Sequence, residues 1–181
     1  MAKALAFTLA IFVTIAAFLF YRTGYFKDVE IQAQTLGPYT LMFKDHQGEY
    51  HKITSVIEAV ETFAKDKGQG CEMAFGRYLD DPDQVDHDRL RSQGGCISSN
   101  PEAFVSLQGT EGLKFENLPA REYIVASFNG SPSIGPFVVY PKVKDWMKKY
   151  GYKIDGPVIE IYKTLPDQSV LTRYLFIYAT E

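Results

Sequence analysis

The chain is poor in the residues that metal and thiol chemistry rely on: its 181 residues include 2 cysteines and 3 histidines. It has no Cys-x-x-Cys pair and no two histidines at ligand spacing, which argues against a zinc site. His46, His51 and His87 read instead as solvated or capping side chains. Basic excess is lacking too. A formal net charge of −3 does not give the electrostatic footprint of a nucleic-acid binder, and no helix-turn-helix pattern is present, so no nucleic-acid partner is expected. Nothing in the pattern calls for a cofactor. Long apolar runs are missing with one exception, and low-complexity tracts are missing altogether. Average composition then implies one ordinary globular domain plus one additional segment.

That segment is Ala4–Tyr21, which carries no charge and only Thr8 and Thr14 as polar residues. Eighteen residues at about 1.5 Å rise give a helix of roughly 27 Å, close to a hydrocarbon core. A cleaved signal peptide is the alternative, but the run ends on Phe18-Leu19-Phe20-Tyr21-Arg22, bulky and then charged instead of small-x-small. The expectation is an uncleaved single-pass anchor, with Tyr21, Arg22, Tyr25 and Lys27 at the interface and the side of the soluble part left open. The chain therefore divides into 1–27, an anchor with its flank, and 28–181, a folded domain.

Within that domain one pattern occurs twice. Tyr78, Pro82, Asp83, Gln84 and Arg89 recur at a constant offset of 84 as Tyr162, Pro166, Asp167, Gln168 and Arg173, the mark of a duplicated unit. Segments 29–33 and 39–43 are rich in β-formers around the turn signal Leu36-Gly37-Pro38 and read as a hairpin. Ile53, Val56, Ile57, Val60 and Phe63 lie on one helical face, ended by Gly68 and Gly70. Strands are expected at 72–78 and 91–97. Segment 98–112, rich in Ser, Asn, Gly and Pro, separates the halves. The second half repeats the plan: a strand at 122–128, a helix carrying Val139, Val143, Trp146 and Met147, and strands at 158–162 and 173–178. The repeats are about 28–98 and 113–181. Cys71 and Cys96 flank the 82–87 turn and fit either a disulfide bridge or two buried thiols.

The order strand, helix, strand, strand in each half carries a family resemblance. It rests on His46-Gln47-Gly48-Glu49-Tyr50 before the first helix, on Tyr78-Leu79-Asp80-Asp81-Pro82 with Arg89 and Arg91 after it, and on Gly156-Pro157-Val158-Ile159-Glu160-Ile161-Tyr162. With these the chain resembles the GyrI-like small-molecule-binding domain, in its membrane-anchored branch that includes a testis-expressed ER-phagy receptor. The resemblance implies an α+β, pseudo-two-fold fold behind the transmembrane helix: an antiparallel sheet with both helices on one face and a ligand groove on the other. It also implies that a glutamate of the second repeat, here Glu160, attracts cationic or aromatic ligands.

Strand alternation supports Glu160 on its own account, since Val158, Glu160 and Tyr162 share one face and Ile159 and Ile161 the other. The repeat sets Gly76 against Glu160, which leaves room for a bound molecule, although Gly76 also fits a bulge and Glu160 an ion pair with Arg77 or Arg173. Tyr50, Phe43, Phe128, Phe137 and Tyr162 complete the candidate ligand-binding set as aromatic walls around one carboxylate. With 13 Phe and 12 Tyr in the chain, only a minority of the five should touch ligand.

Three functions are compatible with this pattern. The first is a membrane-tethered, noncatalytic module that binds or senses a small molecule. The second is a hydrolase with Glu160 as general base, assisted by Tyr162 or Tyr50. The third is a membrane adaptor that uses the domain as a platform for a protein partner. No nucleophile, base and orienter are grouped around Glu160, which ranks binding above catalysis.

Overall fold

The computed structural model describes residues 2–180, and side chains from Phe7 to Thr180. The chain forms α1 (Ala2–Thr23), β1 (Glu30–Leu36), β2 (Tyr39–Gln47), α2 (Ile53–Asp66), β3 (Met73–Tyr78) and β4 (Arg91–Ser98). These are followed by β5 (Lys114–Leu118), β6 (Arg121–Asn129), α3 (Gly135–Lys149), β7 (Tyr152–Thr164) and β8 (Val170–Thr180). All eight strands join one sheet in the order β1-β6-β8-β7-β3-β4-β2-β5, and every pairing is antiparallel.

That order is symmetric about its middle. β7 and β3 meet at the centre, and outward from them stand β8 and β4, β6 and β2, then β1 and β5. The register shows the same two-fold: Gly76 pairs with Glu160, Ala74 with Tyr162 and Tyr78 with Val158. Residues 84 apart thus exchange partners across an axis passing between Gly76 and Glu160. The first strand of each half crosses over, β1 to β6 and β5 to β2. Neither half closes its own sheet.

Two short links decide the shape. β1 and β2 lie near opposite ends of the strand order, yet only Gly37 and the cis-peptide Pro38 separate them; β5 and β6 are likewise separated only by Pro119 and Ala120. Two residues reach about 7 Å at most, so the ends of the sheet must curl toward each other. The enclosed face holds Leu36, Leu41, Phe43, Phe75, Ile97, Tyr123, Val125, Ile159, Ile161 and Leu175 as one buried cluster. The hairpin expected from segments 29–33 and 39–43 therefore does not form: β1 pairs with β6, and β2 with β4 and β5.

Both helices lie on the outer face of the curl. Ile53, Ile57, Val60 and Ala64 are the buried stripe of α2, and Gly94 lets that helix close on β4, because a Cβ there would lie 2.8 Å from Ile57. Val139, Val143 and Met147 seat α3 over Ile124, Ala126, Val158 and Phe176. Apolar side chains thus line both faces of the central strands, which is why residues 158–161 are all buried despite their alternation.

A disulfide joins Cys71 to Cys96 with Cα atoms 5.3 Å apart, deciding between the two states the sequence allows. Cys96 is fully buried beside Val60, Ala64, Phe104 and Leu107, so the bridge ties the segment entering β3 to the floor under α2.

The N-terminal expectation is corrected. Among the described residues no helix is long and apolar enough to cross a membrane. The side chains of residues 4–6 of the expected run lie outside the described residues. The transmembrane anchor, the single-pass placement and membrane association through Ala4–Tyr21 are therefore withdrawn. The end of α1 is tied to the domain: Ser131 N donates to Thr23 O at 2.9 Å, and Gly24, at φ +79°, passes so near Gly130 that a Cβ would lie 3.1 Å from its Cα.

Candidate functional site

The helices stand apart, α2 over β4 and β2, α3 over β6 and β7. Between them, above the central strands β3 and β7, opens a cavity of about 1560 Å³. The groove is thus on the same face as the helices and lies between them. This corrects the expected placement on the opposite face, where the curl of the sheet buries an apolar cluster on itself.

Glu160 lies on the floor of this cavity, 3% exposed. Tyr140, from α3, donates to its Oε1 at 3.1 Å, and Tyr162, from its own strand, donates to Oε2 at 2.9 Å. The hydroxyls of Tyr78 and Tyr162 lie 3.1 Å apart. Because the Tyr162 proton points at the carboxylate, its oxygen accepts from Tyr78, giving a relay Tyr78 to Tyr162 to Glu160. Tyr78 and Tyr162 are repeat equivalents, and their hydroxyls meet over the two-fold axis. Gly76 makes this possible: a Cβ there would lie 3.1 Å from the Tyr78 hydroxyl, so the space opposite Glu160 is taken up by the Tyr78 ring. Tyr50 packs edge-on against Tyr78 with centroids 4.8 Å apart.

Burial pushes the Glu160 carboxyl up to about 7, against the opposing pull of the Tyr162 and Tyr140 hydroxyls. Burial, then the Glu160 charge, raises Tyr140 and Tyr162 well above the usual phenol range, and Tyr78 is raised for the same reasons. All three are therefore neutral donors. Among the described residues no cation forms an ion pair with Glu160. Arg77 lies on the enclosed face, where it grips Glu116 at 2.6 and 3.0 Å and Gln93 at 2.6 Å, and packs over Phe43.

The rim is acidic. Glu58 and Glu61 of α2 and Asp80, Asp81 and Asp83 of loop 79–90 line it, with Lys144 of α3 facing them 4.0 Å from Asp83. Burial, then the neighbouring Glu58, raises Glu61. Loop 79–90 has the same length as its repeat equivalent 163–174, which instead zips into the β7–β8 hairpin. In the first copy Asp80 holds the loop open: its carboxylate accepts from Arg91 N at 2.7 Å and pairs with the Arg91 guanidinium at 2.6 Å, while Tyr50 clasps its backbone. The equivalents of Asp80 and Arg91 are Thr164 and Leu175, which offer no such pair.

Of the seven residues expected from the sequence, Glu160, Tyr162, Tyr50 and Phe137 line the cavity. Phe137 is 75% exposed at its mouth. Gly76 lies beneath Tyr78. Phe43 lies elsewhere, in the enclosed core, and Phe128 under α3. Sequence reasoning missed two residues of the carboxylate network. Tyr78 was within reach, as the repeat equivalent of a candidate. Tyr140 carries no such sign; it reaches Glu160 only because α3 lies on the Glu160 face.

Two fused half-sites that enclose a deep cavity at their shared axis define an α+β ligand-binding domain. The chain belongs to the family of the GyrI-like small molecule binding domain, which matches residues 29–177, and it is accordingly a small-molecule-binding domain. Solved structures with the same fold include the C-terminal domain of EcmrR, at 13% identity and TM-score 0.64 over 84% of this chain and 99% of that one. EcmrR in its DNA complex aligns at 12% identity and TM-score 0.63 over 99% of this chain and 68% of that one. A conserved protein from Listeria innocua aligns at 14% identity and TM-score 0.53 over 83% and 92%. At such identities the likeness is one of fold alone. No curated protein matches the chain.

Proposed function

We propose that residues 28–181 form a noncatalytic module that binds or senses a small aromatic cation, held in the cavity between α2 and α3 with its charge near Glu160. One observation carries this reading: a carboxylate 3% exposed, with neutral tyrosines as its hydrogen-bond partners and no cationic partner among the described residues. A buried charge without a counter-charge is costly, and a cationic ligand would supply the missing charge. The rings of Tyr50, Tyr78, Tyr140 and Tyr162 offer faces that attract a desolvated cation, and the acidic rim favours its approach.

The hydrolase reading is weaker on the same geometry. Both Glu160 oxygens accept from a tyrosine hydroxyl, and these donors stabilise the carboxylate and lower its basicity.

The test uses two ions of nearly equal shape and opposite charge, tetraphenylphosphonium and tetraphenylborate, titrated calorimetrically into the full chain at about pH 8. The cation should bind at least tenfold more tightly, and Glu160→Gln should remove most of that preference. Equal affinity for the two ions would refute the reading.

A further inference from the structure

We propose that this pocket takes up its cation in exchange for a proton held by Glu160, so that the empty site rests protonated in mildly acidic solution and the occupied site is ionised. The inference rests on the cation-binding reading above and adds the exchange.

The geometry that carries it is the closure of the site around the carboxylate. Each element packed against Glu160 presents a group that can share a proton but cannot neutralise a charge: Tyr140 from α3, Tyr162 from β7, Tyr78 from β3 and Tyr174 from β8, the last paired with Glu160 in register. The titratable groups farther out are Glu58 and Glu61 on α2, Glu72 ahead of β3, Asp80, Asp81 and Asp83 on the loop, His51 ahead of α2, and Lys144 on α3. Six lining acids besides Glu160 thus face one lysine and one histidine, and only Asp80 among them is held by an arginine, Arg91; the surrounding field is negative and favours a protonated Glu160 when the pocket is empty. The raised carboxyl of Glu160 agrees with this, with burial as its cause.

The hydroxyl relay is compatible with both states. With Glu160 ionised, Tyr140 and Tyr162 donate inward and Tyr78 donates to Tyr162. With Glu160 protonated, its O–H donates to one of these oxygens, and the Tyr162 and Tyr78 hydroxyls can turn to pass their protons outward to the cavity. No side chain has to leave its place. The exchange balances: the neutral carboxylic acid and the cation give a carboxylate paired with the cation, and one proton goes to solvent. A ligand with permanent charge cannot itself supply that proton.

The experiment is calorimetric titration of the full chain with tetraphenylphosphonium, in pairs of buffers that differ in ionisation enthalpy. At about pH 6 the expected result is release of about one proton per cation, falling toward none at about pH 8.5, with Kd rising roughly tenfold per pH unit on the acid side. Glu61→Gln should keep the proton release and Glu160→Gln should abolish it. Binding with no proton release at about pH 6, or release that survives Glu160→Gln, overturns the exchange and leaves the cation site standing. Failure to bind at either pH overturns both.

Discussion

Replacing Glu160 by glutamine should stabilise the protein, and only on the alkaline side. In the folded state burial lifts the Glu160 carboxyl from its ordinary 4.5 to about 7, so the folded protein holds this proton more tightly than the unfolded chain. The stability associated with that proton is fully present below about pH 4.5, is lost as pH rises toward about 7, and stays lost above it. At about 1.4 kcal/mol per pH unit the loss is about 3 kcal/mol. Glutamine carries no charge to bury, but its amide must turn one tyrosine hydroxyl around, which costs about 1 kcal/mol. The net expectation is a gain of about 2 kcal/mol for Glu160→Gln at about pH 8, or roughly 4–8 °C in Tm for a domain of this size. Below about pH 4.5 the gain should be gone, leaving the variant about 1 kcal/mol less stable than the wild type by the cost of its amide. Thermal and urea melts of the two proteins across this range measure the difference, in which all other titrating groups cancel. A difference that does not change with pH would refute the assignment of a buried, uncompensated carboxylate.

Three further outcomes follow from the packing. Reducing the Cys71–Cys96 bridge, which closes a loop across a sequence separation of 25, should cost about 3 kcal/mol of stability by loop-closure entropy, read as a lower urea midpoint with reductant. Gly135→Ala should cost about 2 kcal/mol or more, because the new methyl would collide with the buried Tyr174 hydroxyl at the start of α3; an unchanged Tm would show that α3 can shift. Arg77→Met should cost about 1–2 kcal/mol by leaving the half-exposed Glu116 without its bidentate partner, yet it should leave cation affinity within about twofold, because Arg77 and Glu160 point to opposite faces of the sheet.

Glu160 could be found in the sequence because two local signals coincide there. Alternation along β7 separates it from Ile159 and Ile161, and the 84-residue offset sets it against Gly76, the pair at the axis. The same offset links Tyr78 to Tyr162, so one member of the carboxylate network could have been named from the repeat. Phe43 and Phe128 were expected at the groove because they are aromatic and close to it in the repeat, but alternation alone cannot say which face a helix will cover. Phe43 and Phe75 face inward, and Phe128 lies under α3. The run in α1 was read as an anchor from its apolar composition, whereas among the described residues no helix is long and apolar enough to cross a membrane.

What the sequence determined by itself is everything governed by near neighbours: the positions of α2 and α3, most of the strands, the duplication, and the sidedness of each residue along its strand. Periodicity fixes these because side-chain direction repeats every two residues in a strand and every 3.6 in a helix. What only the tertiary structure decided is which side of the sheet became the pocket. That depended on two-residue links joining opposite ends of an eight-stranded sheet, which force it to curl and bury one face on itself, leaving the other to receive both helices. Tyr140 reaches Glu160 for that reason alone, since long-range chain closure, unlike alternation, leaves no periodic trace in the sequence.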